Sequence, residues 1–369
     1  MAHNPKRLSR LRAVMSEQGI DVLYVRELSN ISWATGFERV FDDEPAHALV
    51  VSARNCVLHT DSRYFDAMKS AAADTDIDVD NSRMAHSAVL AQVLDCIDGD
   101  IVRVGIEDSM PLAEYRALQR TFEGRAIDLV ELSGFVEELR QVKDESEITA
   151  MRKAQSITDA AFANIIAFMK PGMTEREVQL QLDRYMYEGG AEGLAFGTIV
   201  ATGAHAASPH TIPGETKLAF GDAVVMDFGA RYAGYCSDMT RTVFVGEPSD
   251  EARRAYGAIR RANEECEAML RAGLSGADVH QHAEAVLEEE GFGGAMGHSL
   301  GHSVGIDIHE APNLSPGNPK ALCAGNVVTV EPGIYLTGKF GMRLEDYGVV
   351  RDTSYEVFTQ STHEMIIIS

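Results

Sequence analysis

The sequence predicts an α/β domain followed by an α+β domain. The chain has 369 residues, which suits two domains of ordinary size. Its first part alternates helical and strand-like patterns, which is typical of helices packed around a sheet. Its second part groups helices in pairs that are separated by runs of strand-like residues. We expect the first domain to span residues 1–133 and the second to span residues 134–369.

In the first domain, short apolar runs predict four strands, at residues 22–25, 48–52, 57–60 and 102–106. Helical patterns run from Pro5 to Gly19 and occur near residues 62–72, 86–97 and 111–121. The sequence has no glycine-rich phosphate-binding loop between these elements, so this domain carries no nucleotide-binding signature.

The second domain begins with two helix-start signals. Asp144 and Glu147 have the spacing of a capping box, which predicts a long amphipathic helix that ends at Pro171-Gly172. Thr174 and Glu177 repeat this spacing and predict the next helix. Strand and turn patterns fill residues 196–245, two more helices follow near 250–271 and 276–290, and strand patterns return afterwards. This order indicates two similar halves.

Charge and cysteine content exclude several partners. The net charge is −23, from 56 acidic and 33 basic side chains, and the sequence has no basic run. Nucleic acid and anionic membranes are therefore not expected partners. Five scattered cysteines suit a reducing compartment better than a disulfide framework. We expect a cytoplasmic protein, because the N-terminus does not resemble a signal peptide and no apolar run could span a bilayer.

Two predicted hairpins each carry a pair of acids. If the first turn is centred between residues 232 and 233, Asp227 faces Asp238. If the second is centred on Gly338, Glu331 faces Glu345. Opposed Cβ atoms in an antiparallel pair are about 4.5–5.5 Å apart, and like charges there destabilise the pair. The pattern indicates that a cation lies between the acids, although a slipped register would place each acid on a solvated face instead.

Three histidines follow in one short segment. His298 and His302 each come after a glycine, which argues against a regular helix, and His309 lies a few residues further on. The zincin pattern H-E-x-x-H is absent because Asn313 replaces its second histidine. Four carboxylates and an imidazole suit Mn²⁺, Co²⁺, Fe²⁺ or Zn²⁺. Two divalent ions would balance the four negative charges, and such a pair can activate water for hydrolysis.

The chain resembles the pita-bread metallopeptidases along nearly its whole length. The motifs in the second domain are KPGMTEREV (170–178), TIVATGAHAASPH (198–210), MDFGARYAGYCSDMTRTVFVGEPS (226–249), GHSLGHSVGIDIHEAPN (297–313), VEPGIY (330–335) and MRLEDYGVV (342–350). In the first domain, NISWATGF (30–37) and TDSRYFDA (60–67) resemble the smaller domain of creatinase, prolidase and aminopeptidase P. The resemblance implies a creatinase/prolidase-type first domain and a pita-bread catalytic domain.

By position, the resemblance assigns roles to nine residues. The five implied metal ligands are Asp227, Asp238, His302, Glu331 and Glu345, of which Asp238 and Glu345 would bridge two ions. The implied catalytic residues are His210, His309 and again Glu331, and the implied substrate-binding residues are His298 and Arg343. One departure from the family pattern is the stretch before His210, where this chain has His205-Ala206-Ala207-Ser208.

The implied activity is hydrolysis of the peptide bond before proline, with proline-containing peptides as substrates. Mn²⁺ is the first expectation for the two ions, with Co²⁺, Zn²⁺ and Fe²⁺ as alternatives, and the family implies a homodimer. Three rival functions are methionine aminopeptidase, which usually lacks such a first domain, creatinase, which does not use these ligands, and an inactive peptide-binding protein, which would usually have lost some. The sequence leaves X-Pro dipeptidase and X-Pro aminopeptidase activity undistinguished.

Overall fold

The computed structural model describes residues 5–42, 44–97 and 100–369. The chain divides into two compact units, Met1–Arg140 and Gln141–Ser369. The division follows Arg140, and the boundary after residue 133 stays a prediction. No helix in the described ranges is long and apolar enough to cross a bilayer.

The first unit contains a six-stranded mixed sheet of β1 (Val22–Val25), β2 (Ala48–Ser52), β3 (Cys56–His59), β4 (Asp78–Asp80), β5 (Val102–Glu107) and β6 (Ile127–Leu132). The strand order in this sheet is β4-β3-β2-β1-β5-β6. Its helices are α1 (Pro5–Glu17), α2 (Leu28–Thr35), α3 (Phe65–Ala71), α4 (His86–Leu94), α5 (Leu112–Thr121) and α6 (Phe135–Arg140). The four predicted strands are confirmed. Strands β4 and β6 were not predicted, because their acidic residues interrupt the apolar runs that mark a buried strand.

The second unit contains two helix pairs, as predicted. They are α7 (Glu145–Phe168) with α8 (Glu175–Glu188), and α9 (Asp250–Met269) with α10 (Gly276–Glu289). Both predicted capping boxes are present, at Asp144 and at Thr174. A 3-10 helix, Gly203–Ala207, is an addition that the strand and turn patterns did not predict.

The strands of the second unit form two larger sheets and two small ones. They are β7 (Gly193–Leu194), β8 (Ile199–Thr202), β9 (Ala223–Phe228), β10 (Ala230–Tyr232), β11 (Tyr235–Cys236), β12 (Met239–Val245), β13 (Gly301–Ser303), β14 (Glu310–Leu314), β15 (Val327–Val330), β16 (Gly333–Leu336), β17 (Phe340–Arg343), β18 (Asp346–Val350), β19 (Tyr355–Val357) and β20 (Ile367–Ile368). The larger sheets have the orders β20-β12-β9-β8 and β14-β13-β15-β18-β19. Apolar side chains of α7 and α8 pack on the first of these sheets, and those of α9 and α10 contact both.

The predicted register of the first acidic hairpin is wrong. Tyr232 pairs with Tyr235, so the turn is centred between residues 233 and 234, and Asp227 pairs with Thr240 rather than Asp238. Ala233 and Gly234 both have positive φ, 50° and 78°, as a two-residue type I′ turn requires. Gly234 therefore belongs in the turn. Because the pairing moves by two residues and side chains alternate with period two, the error leaves each acid on its expected face.

The register of the second acidic hairpin is confirmed. Val330 pairs with Asp346 in β15–β18, and Gly333 pairs with Arg343 in β16–β17. Both pairings are centred on Gly338, whose φ of 76° favours glycine. Glu331 and Glu345 occupy the opposed positions between these two strand pairs.

Candidate metal and substrate site

A single cavity of about 680 Å³ in the second unit is lined by all nine residues that were predicted from the sequence to bind metal, bind substrate or act in catalysis. These are His210, Asp227, Asp238, His298, His302, His309, Glu331, Arg343 and Glu345. Apolar side chains, including Phe196, Ile199 and Ile308, complete the wall. The cavity therefore combines a dense polar group with an apolar surface, as small-molecule and peptide sites commonly do.

The proposed metal ligands come from strand ends and strand junctions. Asp227 lies near the end of β9, Asp238 precedes β12, and Glu331 and Glu345 lie opposite each other beside β15 and β18. Asp238, His302 and Glu345 each offer a donor atom within 4.8 Å of the others. The Nε2 atom of His302 lies 3.5 Å from Asp238 Oδ2 and 3.5 Å from Glu331 Oε1. Backbone pairing thus brings together side chains that are distant in sequence.

The hydrogen bonding of His302 suits a metal ligand. Its Nδ1 lies 3.1 Å from the Ser303 carbonyl oxygen, an acceptor, so Nδ1 carries the proton and Nε2 has the lone pair. Burial lowers the pKa of His302, which favours the neutral ring. The nitrogen that has the lone pair is therefore the one that lies 3.5 Å from two carboxylates. Metal-binding histidines typically donate their second nitrogen to a carbonyl in this way.

Burial and mutual repulsion disfavour the ionised forms of the carboxylates in the cavity. Burial raises the pKa of Asp238 well above its usual value, and the nearby charge of Glu345 adds to the effect. Burial also raises the pKa of Glu345 well above its usual value, and the nearby charges of Glu331 and Asp227 raise it further. The buried Oδ1 atom of Asp227 has no hydrogen-bond partner among the described residues. Divalent cations would stabilise the ionised forms of these acids, so the donor set fits the metals that the family implies.

Arg343 is the main cation of this cavity. Its Nε donates to Thr240 Oγ1 at 2.9 Å, its Nη1 donates to the Tyr335 hydroxyl at 2.9 Å, and its Nη2 pairs with Asp227. The residue is 4 % exposed, so its guanidinium acts in a largely water-free environment. A guanidinium has five N–H groups, so these three contacts do not exhaust its donors.

Tyr335 connects Arg343 to His298. His298 donates from Nδ1 to the Ser299 carbonyl oxygen at 2.7 Å, so its Nε2 accepts from the Tyr335 hydroxyl at 3.1 Å. Arg343, Tyr335 and His298 thus form a chain of donors that fixes the tautomer of His298. Neither Tyr335 nor Thr240 is among the site residues predicted from the sequence. Tyr335 lies within the VEPGIY motif, and that position was the available signal.

Two further histidines lie beside the acids. The rings of His302 and His309 pack edge to face with their centroids 4.4 Å apart. Burial lowers the pKa of His309, and nearby His302 and His210 lower it further. His210 is exposed and reaches the cavity from the loop after the 3-10 helix. These two imidazoles can act as hydrogen-bond donors to a substrate in the cavity.

Comparison with known proteins identifies the class of enzyme. Residues 149–352 match metallopeptidase family M24, and residues 7–142 match the creatinase/prolidase N-terminal domain. The chain belongs to family M24 and is a metallopeptidase. The predicted family and the predicted fold class, an α/β first domain plus a pita-bread catalytic domain, are confirmed.

Individual relatives cover almost the whole chain. The protein is 34 % identical to the uncharacterized peptidase YqhT of Bacillus subtilis over 98 % of this chain and 100 % of that protein. It is 35 % identical to the Xaa-Pro dipeptidase from Bacillus anthracis, with a TM-score of 0.90 and coverage of 98 % and 99 %. It is 33 % identical to the X-Pro aminopeptidase from Thermotoga maritima, with a TM-score of 0.86 and coverage of 98 % and 100 %.

Proposed function

We propose that this protein hydrolyses the peptide bond before proline and acts chiefly as an X-Pro dipeptidase. One observation carries the proposal: Arg343 lies in the same cavity as the acidic donor set, where it can bind the carboxylate that follows the scissile bond in a dipeptide. The solved structures with the same fold include both X-Pro dipeptidases and X-Pro aminopeptidases. X-Pro aminopeptidase activity is therefore the second candidate.

The metal centre is proposed to hold two divalent ions, with Mn²⁺ as the first expectation. Asp238 and Glu345 would bridge both ions, Asp227 would bind one, and His302 with Glu331 would bind the other. When bound, such a pair supplies a Lewis acid for the carbonyl and a nucleophile from water at neutral pH. The raised pKa values of Asp238 and Glu345 support this assignment, because neighbouring cations would relieve their repulsion.

The remaining residues are proposed to bind substrate and move protons. His210 and His309 would donate hydrogen bonds to the scissile carbonyl oxygen as negative charge develops there. Glu331 would carry a proton to the leaving proline nitrogen, which has no hydrogen in the substrate amide. Burial raises the pKa of Glu331, which favours a proton-carrying role. Arg343 would hold the proline carboxylate and His298 would contact the substrate beside it, and Tyr335, which bonds to both side chains, would keep them in place.

A substrate panel tests the proposal. Purified protein loaded with Mn²⁺ is assayed on X-Pro, X-Pro-Y and Met-Ala-Y peptides, with chelator-treated protein as the control. Cleavage of X-Pro without X-Pro-Y supports the dipeptidase. Equal or better cleavage of X-Pro-Y supports the aminopeptidase, and cleavage of Met-Ala-Y alone refutes the X-Pro assignment. Full activity in chelator would refute the metal-dependent chemistry.

A homodimer and a cytoplasmic location are also proposed. The family resemblance supports the dimer, and the five free cysteines support a reducing compartment. Light scattering on the purified protein tests the dimer, and cell fractionation tests the location.

A further inference from the structure

Glu175 is a buried carboxylate that accepts hydrogen bonds from three donors at the two ends of one loop. It is the first residue of α8 and is 0 % exposed. Its Oε1 accepts from the Thr202 amide at 2.9 Å and from His205 Nδ1 at 2.8 Å. Its Oε2 accepts from His205 Nδ1 at 3.0 Å and from the Gly214 amide at 3.1 Å. A buried carboxylate normally needs such partners, and here nearly all of them come from the segment around His210.

These contacts enclose the loop that carries His210, which we call the His210 loop and define as residues 203–214. Thr202 and His205 hold its beginning, and Gly214 holds its end. Backbone contacts strengthen the end, because the Arg176 amide donates to the Gly214 carbonyl at 3.0 Å. The loop itself has an exposed centre, so these anchors restrict where His210 can lie.

The other side of the loop lies directly on the strand that carries Arg343. A Cβ atom at Gly341 would be 1.8 Å from the Ala206 carbonyl oxygen, so the backbones of the loop and β17 are in contact. Any movement of the loop start therefore shifts His210 against this strand. Tight packing of this kind transmits small displacements rather than absorbing them.

We propose that Glu175 and His205 are positioning residues that set the place of His210 at the cavity. The inference rests on the proposed peptidase function, in which His210 donates to the substrate carbonyl. The imidazole of His205 supplies a side-chain donor to Glu175 at the loop start. Its side chain is 41 % exposed, so its replacement should leave the core intact.

The kinetic test uses His205→Ala, Glu175→Gln and His210→Ala. His205→Ala should lower kcat about tenfold with KM changed less than about twofold, because one hydrogen bond of ordinary net strength is lost. His205→Asn, whose amide can donate to Glu175, should recover most of the loss. The control is His282→Ala, which removes a histidine of similar exposure whose glutamate partner, Glu265, lies 3.0 Å away on the α9–α10 helices and is itself exposed. It should leave kcat within about twofold, since surface pairs contribute little.

Double variants decide whether the effect passes through His210. In a His210→Ala background, His205→Ala should lower kcat by less than about twofold, because interacting residues are non-additive. A full tenfold loss in that background, or a loss as large in His282→Ala, would overturn the proposal.

Amide hydrogen exchange separates this inference from the function itself. Exchange in a peptide covering residues 202–216 should be about tenfold faster in His205→Ala and Glu175→Gln than in the wild type, because their anchors are weakened. This result does not depend on catalysis. Unchanged exchange would refute the positioning role, whereas an inactive wild type with faster exchange in the variants would refute only the peptidase function.

Discussion

Lys143→Met should strongly destabilise the second unit. Lys143 Nζ donates to Glu310 Oε2 at 3.0 Å and to Ser303 Oγ at 3.1 Å. The side chains of Lys143 and Glu310 are 1 % and 8 % exposed, so the pair is buried. Removing one partner of a buried pair usually costs about 3–5 kcal/mol, because the other charge stays desolvated. Ser303 follows His302, and Glu310 follows His309, so the same change should also weaken metal binding.

Urea unfolding followed by circular dichroism measures this effect, and the single tryptophan provides an internal control. Trp33 is 2 % exposed in the first unit, so its fluorescence reports a different part of the chain. In Lys143→Met, the dichroism midpoint should fall more than the Trp33 fluorescence midpoint. Lys143→Met/Glu310→Gln should be more stable than the sum of the single changes predicts, because both charges of the buried pair are removed together. A loss below about 1 kcal/mol in Lys143→Met would refute the reasoning, since that is the size expected of an exposed pair.

Four further outcomes are expected. His302→Ala and Asp238→Ala should both abolish hydrolysis and keep the fold, and elemental analysis should find less metal in Asp238→Ala, because that residue would bridge both ions. Tyr335→Phe should raise KM for X-Pro dipeptides about tenfold in steady-state kinetics, since Arg343 loses a hydrogen bond that orients it. The wild type should contain about two ions per chain after Mn²⁺ loading and desalting, as a paired-metal site requires. His86→Asn should lose less stability than the wild type between pH 7 and pH 5, as measured by urea unfolding. Burial lowers the pKa of His86 to about 3, so the unfolded chain takes up the proton first, and stability is lost as the pH falls from about 6.5 towards 3. The loss at pH 5 is at most about 2 kcal/mol and less after solvent screening, because His86 is only half-buried.

Local patterns predicted much of the fold. The capping boxes at Asp144 and Thr174 were readable because both partners lie within one helical turn. The register around Gly338 was readable because glycine alone favours the positive φ that its turn needs. The register around Gly234 was misplaced, because the turn also gives Ala233 a positive φ, which a non-glycine residue rarely adopts.

The candidate site, too, could be predicted only in part from the sequence. The residue types and their motifs predicted nine site residues, and all of them line one cavity. The residues that form hydrogen bonds to these side chains or to their loops were not predicted. Tyr335 forms hydrogen bonds with Arg343 and His298, and Glu175 forms a hydrogen bond with the loop that carries His210. These hydrogen bonds depend on how strands and helices that are distant in sequence pack together.

The metallopeptidase motifs, the chemistry of the donor set and the helix starts follow from the amino-acid sequence, because each is encoded in residue types at short spacing. Which atoms come into contact depends on the tertiary structure. Lys143 and Glu310 are 167 positions apart, and Glu175 and His205 are 30 apart, so no local periodicity connects them. Their contacts exist because burial of the surrounding apolar faces brings the segments together, and a buried charge must then find a partner within reach.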